Sequence, residues 1–210
     1  MGCLPLFHGA SSNIKQVSRC IGIDDGPFPP KTDDEVRHAP LLAVWLKGPH
    51  LHQFRADWIT VDGLDATRKA EFLLRGSFQI PVLLSGVTFG GLKLIDPRKI
   101  QKSCKAPVIM VVGSRPDNRA VKRALVKHFP DWERRWELIR SLGPVHKHRT
   151  MASEGPVFFE QFGCTIRKAR LILKASAFVS RVPEPLRVAG ILAKGLFSEP
   201  SGQVSSYRRL

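Results

Sequence analysis

The order of strand and helix patterns along this chain constrains its fold more than any other feature of the sequence. Three runs typical of strands come first, at residues 19–26, 41–48 and 53–63, and no helical period separates them. The second run is apolar and is bounded by Pro40 and Gly48, which is typical of a strand buried on both faces. Three consecutive strands joined by turn residues predict an antiparallel meander.

Helix and strand patterns alternate after this meander. A helix is predicted over 65–76, with Asp65 as a cap at its start and Gly76 at its end. The run at 106–113 is apolar and β-branched, as central parallel strands are. The other predicted elements are strands at 79–91 and 156–163, and helices at 97–104, 115–143 with an interruption near Pro130, 164–176 and 184–197. This order predicts an α/β fold with a mixed sheet, in which a three-strand antiparallel meander precedes alternating helices and strands.

The charge of the chain narrows the class of its partner. Its 210 residues include 33 Lys and Arg against 18 Asp and Glu, which gives a formal net charge of +15. Such an excess favours a polyanionic partner, most often nucleic acid. A basic surface that is only solvated is the alternative that charge alone leaves open.

Length and composition favour one domain between flexible ends. We expect residues 1–18 to form a flexible leader, 19–200 a single domain and 201–210 a flexible basic tail. No apolar run is long enough to span a bilayer and no secretory signal begins the chain, so we expect a cytoplasmic protein without a membrane partner. The four cysteines form no CxxC pair, which indicates incidental or buried thiols rather than a zinc site.

Carboxylates lie at the ends of several predicted strands. Asp24 and Asp25 end the first strand, Asp62 ends the third, and Asp65 begins the helix that follows. If the first and third strands are neighbours, these carboxylates gather at one edge of the sheet and repel one another unless a cation holds them. Mg²⁺ prefers oxygen ligands and leaves room for phosphate oxygens. Acids at such positions are also ordinary turn and cap residues, so spacing alone leaves a structural role open.

Six motifs, in order along the chain, resemble those of one archaeal family. They are GIDDGPF, VDGLDAT, SGVTFGGLKLID, PVIMVV, ALVKHFPDWERRWELI and PEPLRVA. The chain is similar over about residues 19–200 to the endonuclease dU family, a relative of endonuclease V. The resemblance implies a ribonuclease H-like fold. It also implies metal-dependent cleavage, in DNA repair, of DNA that contains deaminated bases such as uracil or hypoxanthine.

The resemblance assigns roles to particular carboxylates. Asp24 matches the position where ribonuclease H-like folds carry the metal ligand of the first strand. Either Asp62 or Asp65 matches the second acid of the family, and the motif does not decide between them. The implied catalytic residues are therefore Asp24, Asp62 and Asp65, and the implied metal ligands are Asp24, Asp25 and Asp65, which would bind Mg²⁺ or alternatively Mn²⁺.

Two positions depart from the endonuclease V pattern. Ser85 stands where that family has an acid after the first helix, and Thr165 stands near its fourth ligand position. Fewer carboxylates imply weaker metal binding, unless Asp25 or Asp96 supplies the missing ligand. The remaining expectation is a two-carboxylate site that holds a single metal ion.

The Gly-rich loop after the fourth predicted strand resembles the loop that helps to form the base pocket of endonuclease V. The implied substrate-binding residues are Gly86, Thr88, Phe89, Gly90 and Gly91. A simple tight turn is the alternative. In the PEPLR motif, Glu184 and Arg187 are three residues apart and predict a structural ion pair on one helical turn.

Basic residues are grouped on the predicted helices. A charged helix face is usually only solvated, but several such faces with few acids suggest a surface that contacts backbone phosphates. The residues for which we predict nucleic-acid contacts are Arg119, Lys122, Arg123, Arg167 and Lys168. Trp132 and Trp136 recur at helical spacing and are predicted to lie in the core.

Three function classes follow from the sequence. The first is a Mg²⁺-dependent endodeoxyribonuclease, supported by Asp24, Asp62 and Asp65. The second is a nucleic-acid-binding protein with weakened catalysis, supported by Ser85 and Thr165. The third is a structural or partner-binding protein, which predicts little affinity for DNA. The salt dependence of DNA binding separates the third class from the other two. The sequence does not give the oligomeric state.

Overall fold

The computed structural model describes residues 19–27, 36–89 and 93–197. Its strands are β1 Arg19–Asp25, β2 His38–Lys47, β3 His50–Thr60, β4 Val82–Leu84, β5 Thr88–Phe89, β6 Lys93–Leu94, β7 Val108–Val112, β8 His146–His148 and β9 Val157–Phe162. Its helices are α1 Ala66–Leu73, α2 Pro97–Cys104, α3 Asn118–His128, α4 Trp132–Ser141, α5 Ile166–Ser176 and α6 Glu184–Phe197. The predicted leader 1–18 and tail 201–210 lie outside the described residues.

Seven strands form the central sheet, in the order β3-β2-β1-β4-β7-β9-β8. The predicted antiparallel meander is confirmed, because β2 pairs antiparallel with both β1 and β3. The predicted parallel strands are confirmed as well, since β4 pairs parallel with β1 and with β7. Strand β9 is antiparallel to β7, which makes the sheet mixed. The predicted α/β, ribonuclease H-like fold class is therefore confirmed.

Helices cover both faces of the sheet. On one face, apolar side chains of β1, β2, β4 and β7 pack with α1 and α2 in the largest core cluster. On the other face, α5 packs against β4, β7 and β9, and α6 packs against β1 and β2. Every residue of β2 from Ala39 to Leu46 is buried because both of its faces are covered in this way. Cys20 and Cys104 are buried thiols and Cys164 is half-buried, as predicted.

The helix starts show which sequence signals act locally. The side chain of Asp96 accepts a hydrogen bond from the Arg98 amide and caps α2, in which Pro97 is the first residue. Thr165 caps α5 in the same way by accepting from the Lys168 amide. Asp65 occupies the predicted cap position of α1, but its side chain makes no capping hydrogen bond. Its carboxylate instead accepts hydrogen bonds from the amide and the hydroxyl of Thr60.

Some elements differ from the sequence-based predictions. The loop after β4 contains the two-strand hairpin β5–β6, and the basic run near His146 forms the edge strand β8. Trp132 and Trp136 are half-buried and are not core residues. The Lys122 ammonium of α3 lies 5.7 Å from the ring centroid of Trp132 and 5.6 Å from that of Trp136. Across the described residues, no helix has the length and apolar character needed to cross a membrane.

Candidate active site

The carboxyl ends of the parallel strands β1, β4 and β7 meet at one edge of the sheet. Asp24 lies at the end of β1, and Ser85 directly follows β4. The Ser85 amide donates to the Ile23 carbonyl at 3.1 Å, and its side chain hydrogen-bonds to the Asp24 carboxylate. Ligands commonly bind at this edge of open α/β sheets, where the loops after the strands converge. Asp24 and Ser85 therefore form the centre of the candidate site.

Helix α6 packs very closely on the end of β1 because three glycines make room for it. A Cβ atom on Gly22 would lie 2.2 Å from the Pro185 carbonyl carbon. One on Gly26 would lie 2.9 Å from the Ala193 carbonyl oxygen. One on Gly190 would lie 2.7 Å from Oδ2 of Asp24. No real side chain tolerates such contacts without a shift, so Gly190 gives the Asp24 carboxylate its place against α6.

The Asp24 carboxyl group has an unusual electrostatic environment. Burial raises its pKa from the ordinary 3.8 to about 7, and the neighbouring charge of Asp25 adds to the rise. Hydrogen bonds from the Asp25 amide and the Ser85 side chain, together with the positive charge of Lys194, oppose it. A carboxylate that is withdrawn from water and lies next to a second carboxylate is stabilised when it binds either a proton or a cation.

The second group of predicted acids lies in the connection between β3 and α1. Arg37 forms an ion pair with Asp62 at 3.4 Å, and the Asp62 backbone has a positive φ of 60°. Arg135 is buried and donates to the Asp62 carbonyl at 3.0 Å. The Asp65 carboxylate accepts from the amide and hydroxyl of Thr60 at 3.3 and 3.4 Å. These contacts fix the connection and leave both carboxylates only partly buried.

The condition under which the acids of the first and third strands would gather, namely that these two strands are neighbours, is not met. Strand β2 lies between β1 and β3, so the ends of β1 and β3 are two strand spacings apart, about 10 Å. Within the described part of the chain, no three His, Cys, Asp or Glu side chains are grouped closely enough to hold a metal ion. The structure thus brings Asp24 together with Asp25, but does not bring Asp62 or Asp65 into a three-ligand group with them.

The donor chemistry fits a divalent cation held by two carboxylates. Asp24 and Asp25 are consecutive at the end of β1, and the charge of Asp25 raises the pKa of Asp24. Mg²⁺ is commonly held by one or two carboxylates, with the remaining positions taken by water and substrate phosphate. The Asp96 carboxylate caps α2 through Oδ1, and its role as a further ligand remains a prediction. Thr165 has a structural role as well, since it caps α5.

The predicted substrate loop begins at the same edge. Gly86 directly follows Ser85 and has a φ of 86°, a conformation that favours glycine. Thr88 pairs with Leu94 in the β5–β6 hairpin, so the loop is more ordered than a simple turn. Phe89 ends β5, while Gly90 and Gly91 lie outside the described residues. A role of this loop in binding a base remains a prediction.

The predicted phosphate-contacting residues form two separate groups. Arg119, Lys122 and Arg123 are exposed on α3, and Leu125 is buried opposite them, as predicted. The α3–α4 hairpin joins the layer of α1 and α2 through a hydrogen bond from Arg98 to Ser141. Arg167 and Lys168 are exposed on α5, which packs on the opposite face of the sheet. The two groups therefore do not share one face, and their contact with nucleic acid remains a prediction.

Other residues near the site complete this description. The predicted structural ion pair is present. The Arg187 guanidinium donates to both carboxylate oxygens of Glu184, at 2.6 and 2.8 Å, and Glu184 is buried. Sequence reasoning missed Gly190 and Lys194 as neighbours of Asp24. A glycine within an apolar strand, such as Gly22, and one within a helical pattern, such as Gly190, each signal a close approach of another backbone or side chain.

Comparisons with known proteins agree with this architecture. A model of the endonuclease dU family matches residues 16–197. A UPF0215 protein of Pyrococcus furiosus is 34% identical over 196 residues, covering 90% of this chain and 97% of the relative. A solved protein of unknown function from Archaeoglobus fulgidus superimposes with a TM-score of 0.72 at 28% identity, covering 86% of this chain and 99% of that one. The catalytic domain of human endonuclease V shares the fold, with a TM-score of 0.53 at 13% identity over 88% of this chain and 86% of that one.

Proposed function

This chain belongs to the endonuclease dU family, and on that premise we propose that it is a Mg²⁺-dependent endonuclease that cuts DNA near deaminated bases. The observation that carries the proposal is the Asp24 carboxyl group, which lies half-buried at the carboxyl edge of the sheet beside Asp25 and Ser85 and has a raised pKa. A fold without a function there has no need to bury a carboxylate next to another acid, because the arrangement costs stability.

Asp24 and Asp25 are the residues that would hold the metal ion. Bound Mg²⁺ supplies Lewis-acid chemistry, because it polarises a phosphate oxygen and offsets the charge that develops on the leaving oxygen. The Ser85 side chain orients the Asp24 carboxylate through its hydrogen bond, and Lys194 supplies a positive charge nearby. The close packing of α6 excludes water from one side of Asp24, which strengthens each of these interactions.

Substrate binding is assigned to surfaces next to this edge. The loop that starts at Gly86 follows Ser85 directly, so a base taken out of the duplex would meet it beside Asp24. Exposed cations on α3, with the net charge of +15, favour contacts with the phosphate backbone that do not depend on sequence. Specificity for a deaminated base would then come from the loop rather than from the cations.

A DNA-binding protein with weakened catalysis is the second candidate. The observation in its favour is Ser85 at a position where endonuclease V-like sequences have an acid, with no three-ligand group in the parts of the chain that the structure describes. Such a protein would bind DNA with the steep salt dependence of phosphate contacts and would leave it intact.

A nicking assay separates the two candidates. The substrates are duplex and single-stranded DNA with one uracil or hypoxanthine, incubated with Mg²⁺, Mn²⁺ or chelator. Asp24→Asn is compared with the control Asp117→Asn, an exposed cap of α3 whose capping role Asn can retain. Nicks that need metal, persist in the control and vanish in Asp24→Asn support the endonuclease. Tight binding without nicks under every metal supports the second candidate.

A further inference from the structure

Strand β3 is an unusually long and open edge strand. It has 11 residues, and nearly all of them are exposed or half-buried. It pairs only with β2 within the described part of the chain, because it ends the strand order of the sheet. A long edge strand with apolar side chains is a template for pairing with another strand, and proteins normally blunt or cover it.

The hydrogen bonds of β3 show which backbone groups face outward. The Trp58 amide donates to its neighbour Asp57 at 2.7 Å, and the Thr60 amide donates to Asp65. Neither amide is therefore directed at β2. Along an antiparallel strand, the amide and carbonyl of successive residues point alternately toward the paired strand and away from it. The amides and carbonyls of Phe54 and Ala56 therefore also face outward, as those of Trp58 and Thr60 do. The register shift in the β2–β3 pair lies beyond this segment, nearer the hairpin turn, so the alternation holds from 54 to 60.

The side chains of the same segment form two distinct sets. Phe54 and Trp58 are on one face of the sheet, with 47% and 49% of their surface exposed. The helix on that face, α6, packs mainly on β1 and β2. Arg55 and Asp57 are on the opposite face. There Arg55 donates to the carbonyls of Leu73 and Arg75 at the end of α1, and Asp57 accepts a hydrogen bond from Lys69. One face is aromatic and the other carries one charge of each sign.

We propose that two copies of this chain associate by antiparallel pairing of their β3 strands, with the two-fold axis at Ala56. This register places Arg55 opposite Asp57 of the second copy, and Phe54 opposite Trp58 of the second copy. Both kinds of cross-strand pair are favourable. The outward amides of residues 54, 56 and 58 then donate to carbonyls of the second copy, which satisfies the open edge.

No neighbouring register gives the same match. Opposite residues in an antiparallel pair lie on the same face, so the axis passes through a residue rather than between two. An axis at residue 55 or 57 places Arg55 opposite Arg55 or Asp57 opposite Asp57, and like charges directly opposite are destabilising. An axis at residue 54 or 58 leaves Arg55 and Asp57 opposite uncharged residues. Only the axis at Ala56 pairs both the charges and the aromatic rings.

The existing contacts of the two charged residues are compatible with this pairing. Arg55 uses Nη1 for the carbonyls of Leu73 and Arg75, so its other nitrogens remain as donors. Asp57 uses Oδ1 for Lys69 and for the Trp58 amide. On pairing, that amide exchanges the carboxylate for a carbonyl of the second copy. The result is one continuous sheet, in which the candidate active edges of the two copies point in opposite directions.

Mass in solution tests the association. Sedimentation equilibrium of the full chain is expected to show the mass of two chains. Phe54→Lys removes an aromatic pair on each side of the axis and raises the dimer dissociation constant at least about tenfold. The matched control is Leu51→Lys, which has the same exposure on the same strand but lies outside the paired segment, and it is expected to remain dimeric. A monomeric wild type at high concentration, or equal weakening by both variants, would overturn the proposal.

Cysteine cross-linking tests the register. In a chain with Cys3 and Cys164 replaced by Ser, Ala56→Cys places two thiols at the axis, where Cα atoms of a directly opposed pair are about 5.5 Å apart. Phe54→Cys places them four residues apart along the strands, about 14 Å. Oxidation is expected to cross-link the first variant and not the second. Cross-linking of neither variant, or of both equally, would overturn the register.

Discussion

The acids at the end of β1 and those after β3 follow strands of the same meander, yet their surroundings differ. Asp24 is half-buried, meets α6 through Gly190 and has a pKa raised by burial and by the charge of Asp25. Asp62 is 37% exposed and paired with Arg37, and Asp65 is bonded to Thr60. The first environment costs stability that its two hydrogen bonds and the charge of Lys194 offset only in part, whereas the second consists of favourable local contacts. A carboxylate that destabilises the fold it belongs to is a better marker of chemistry than one that stabilises a turn.

Asp24→Asn gives the largest expected effect of this comparison. Loss of a metal interaction worth several kcal/mol reduces cleavage by about 1,000-fold, while affinity for DNA stays close to that of the wild type. Nicking rates and filter binding measure the two quantities on the same samples. Cleavage within tenfold of the wild type would remove Asp24 from the site and end the contrast between the two regions.

Gly190→Ala tests whether the position of the Asp24 carboxylate matters. The new Cβ would lie 2.7 Å from Oδ2, so the carboxylate must shift, and a misplacement of about 1 Å can cost about 100-fold in rate. Gly195→Ala is the matched control on the same helix, because nothing lies within 4 Å of its new Cβ. The control is expected to retain activity and to gain about 0.5–1 kcal/mol in stability. Equal activity of the two variants would mean that the approach of α6 does not position Asp24.

Asp65→Asn and Asp62→Asn compare the two acids of the second region. We expect Asp65→Asn to reduce cleavage about tenfold and Asp62→Asn to change it less than about threefold. The reason is that Asp62 is committed to Arg37 and has the backbone conformation of a turn residue, whereas the Asp65 carboxylate accepts two hydrogen bonds from Thr60 and so holds the end of β3 next to the candidate site. Single-turnover nicking with a titration of Mg²⁺ measures both variants. The reverse order would identify Asp62 as the second acid of the family motif.

Glu160 provides a reference carboxylate outside the site. Burial alone raises its pKa from 4.5 to about 7, so the folded chain binds this proton more tightly than the unfolded chain between these pH values. Its contribution to the free energy of unfolding is therefore greatest at the acid end, falls as pH rises through that window and is constant above it. Glu160→Gln is expected to reduce the difference in stability between pH 5 and pH 8, measured by urea unfolding, and to leave cleavage unchanged.

An exposed glutamate serves as the control for that experiment. Glu137→Gln on α4 is expected to leave the stability difference between the two pH values as it is in the wild type. If Glu160→Gln also lowers cleavage strongly, Glu160 acts in the site. The prediction that it is a buried carboxylate without a catalytic role would then be wrong.

The sequence predicted the main elements of the fold well because their local signals agreed with the final structure. The apolar run of β2, the β-branched run of β7 and the Pro97 start of α2 all lie where their patterns indicate. The site was predicted less completely, since the distance between acids at different strand ends is a non-local property. The predicted meander already places β2 between β1 and β3, but the strand patterns do not show how close those acids come, and among the described residues Asp65 does not join Asp24 in a three-ligand group.

Two further features had no readable local signal. The hairpin β5–β6 consists of two-residue strands, which are too short for an alternating pattern to appear. The contact between Gly190 and Asp24 joins residues 166 positions apart, 190 minus 24, and only tertiary packing brings them together. Glycines at such positions are typical of a close approach, but they do not identify the partner.

The long sequence separation between Asp24 and α6 has a consequence for the order of events during synthesis. Strand β1 leaves the ribosome early, but Asp24 acquires its buried environment only when α6 has emerged and docked on Gly22 and Gly26. Until then, the carboxylate is at the end of an incompletely covered strand and lacks the environment of the folded site. A nascent chain therefore carries the basic residues of α3 before Asp24 has the surroundings of the folded site, so the proposed cleavage activity is the last property that it acquires.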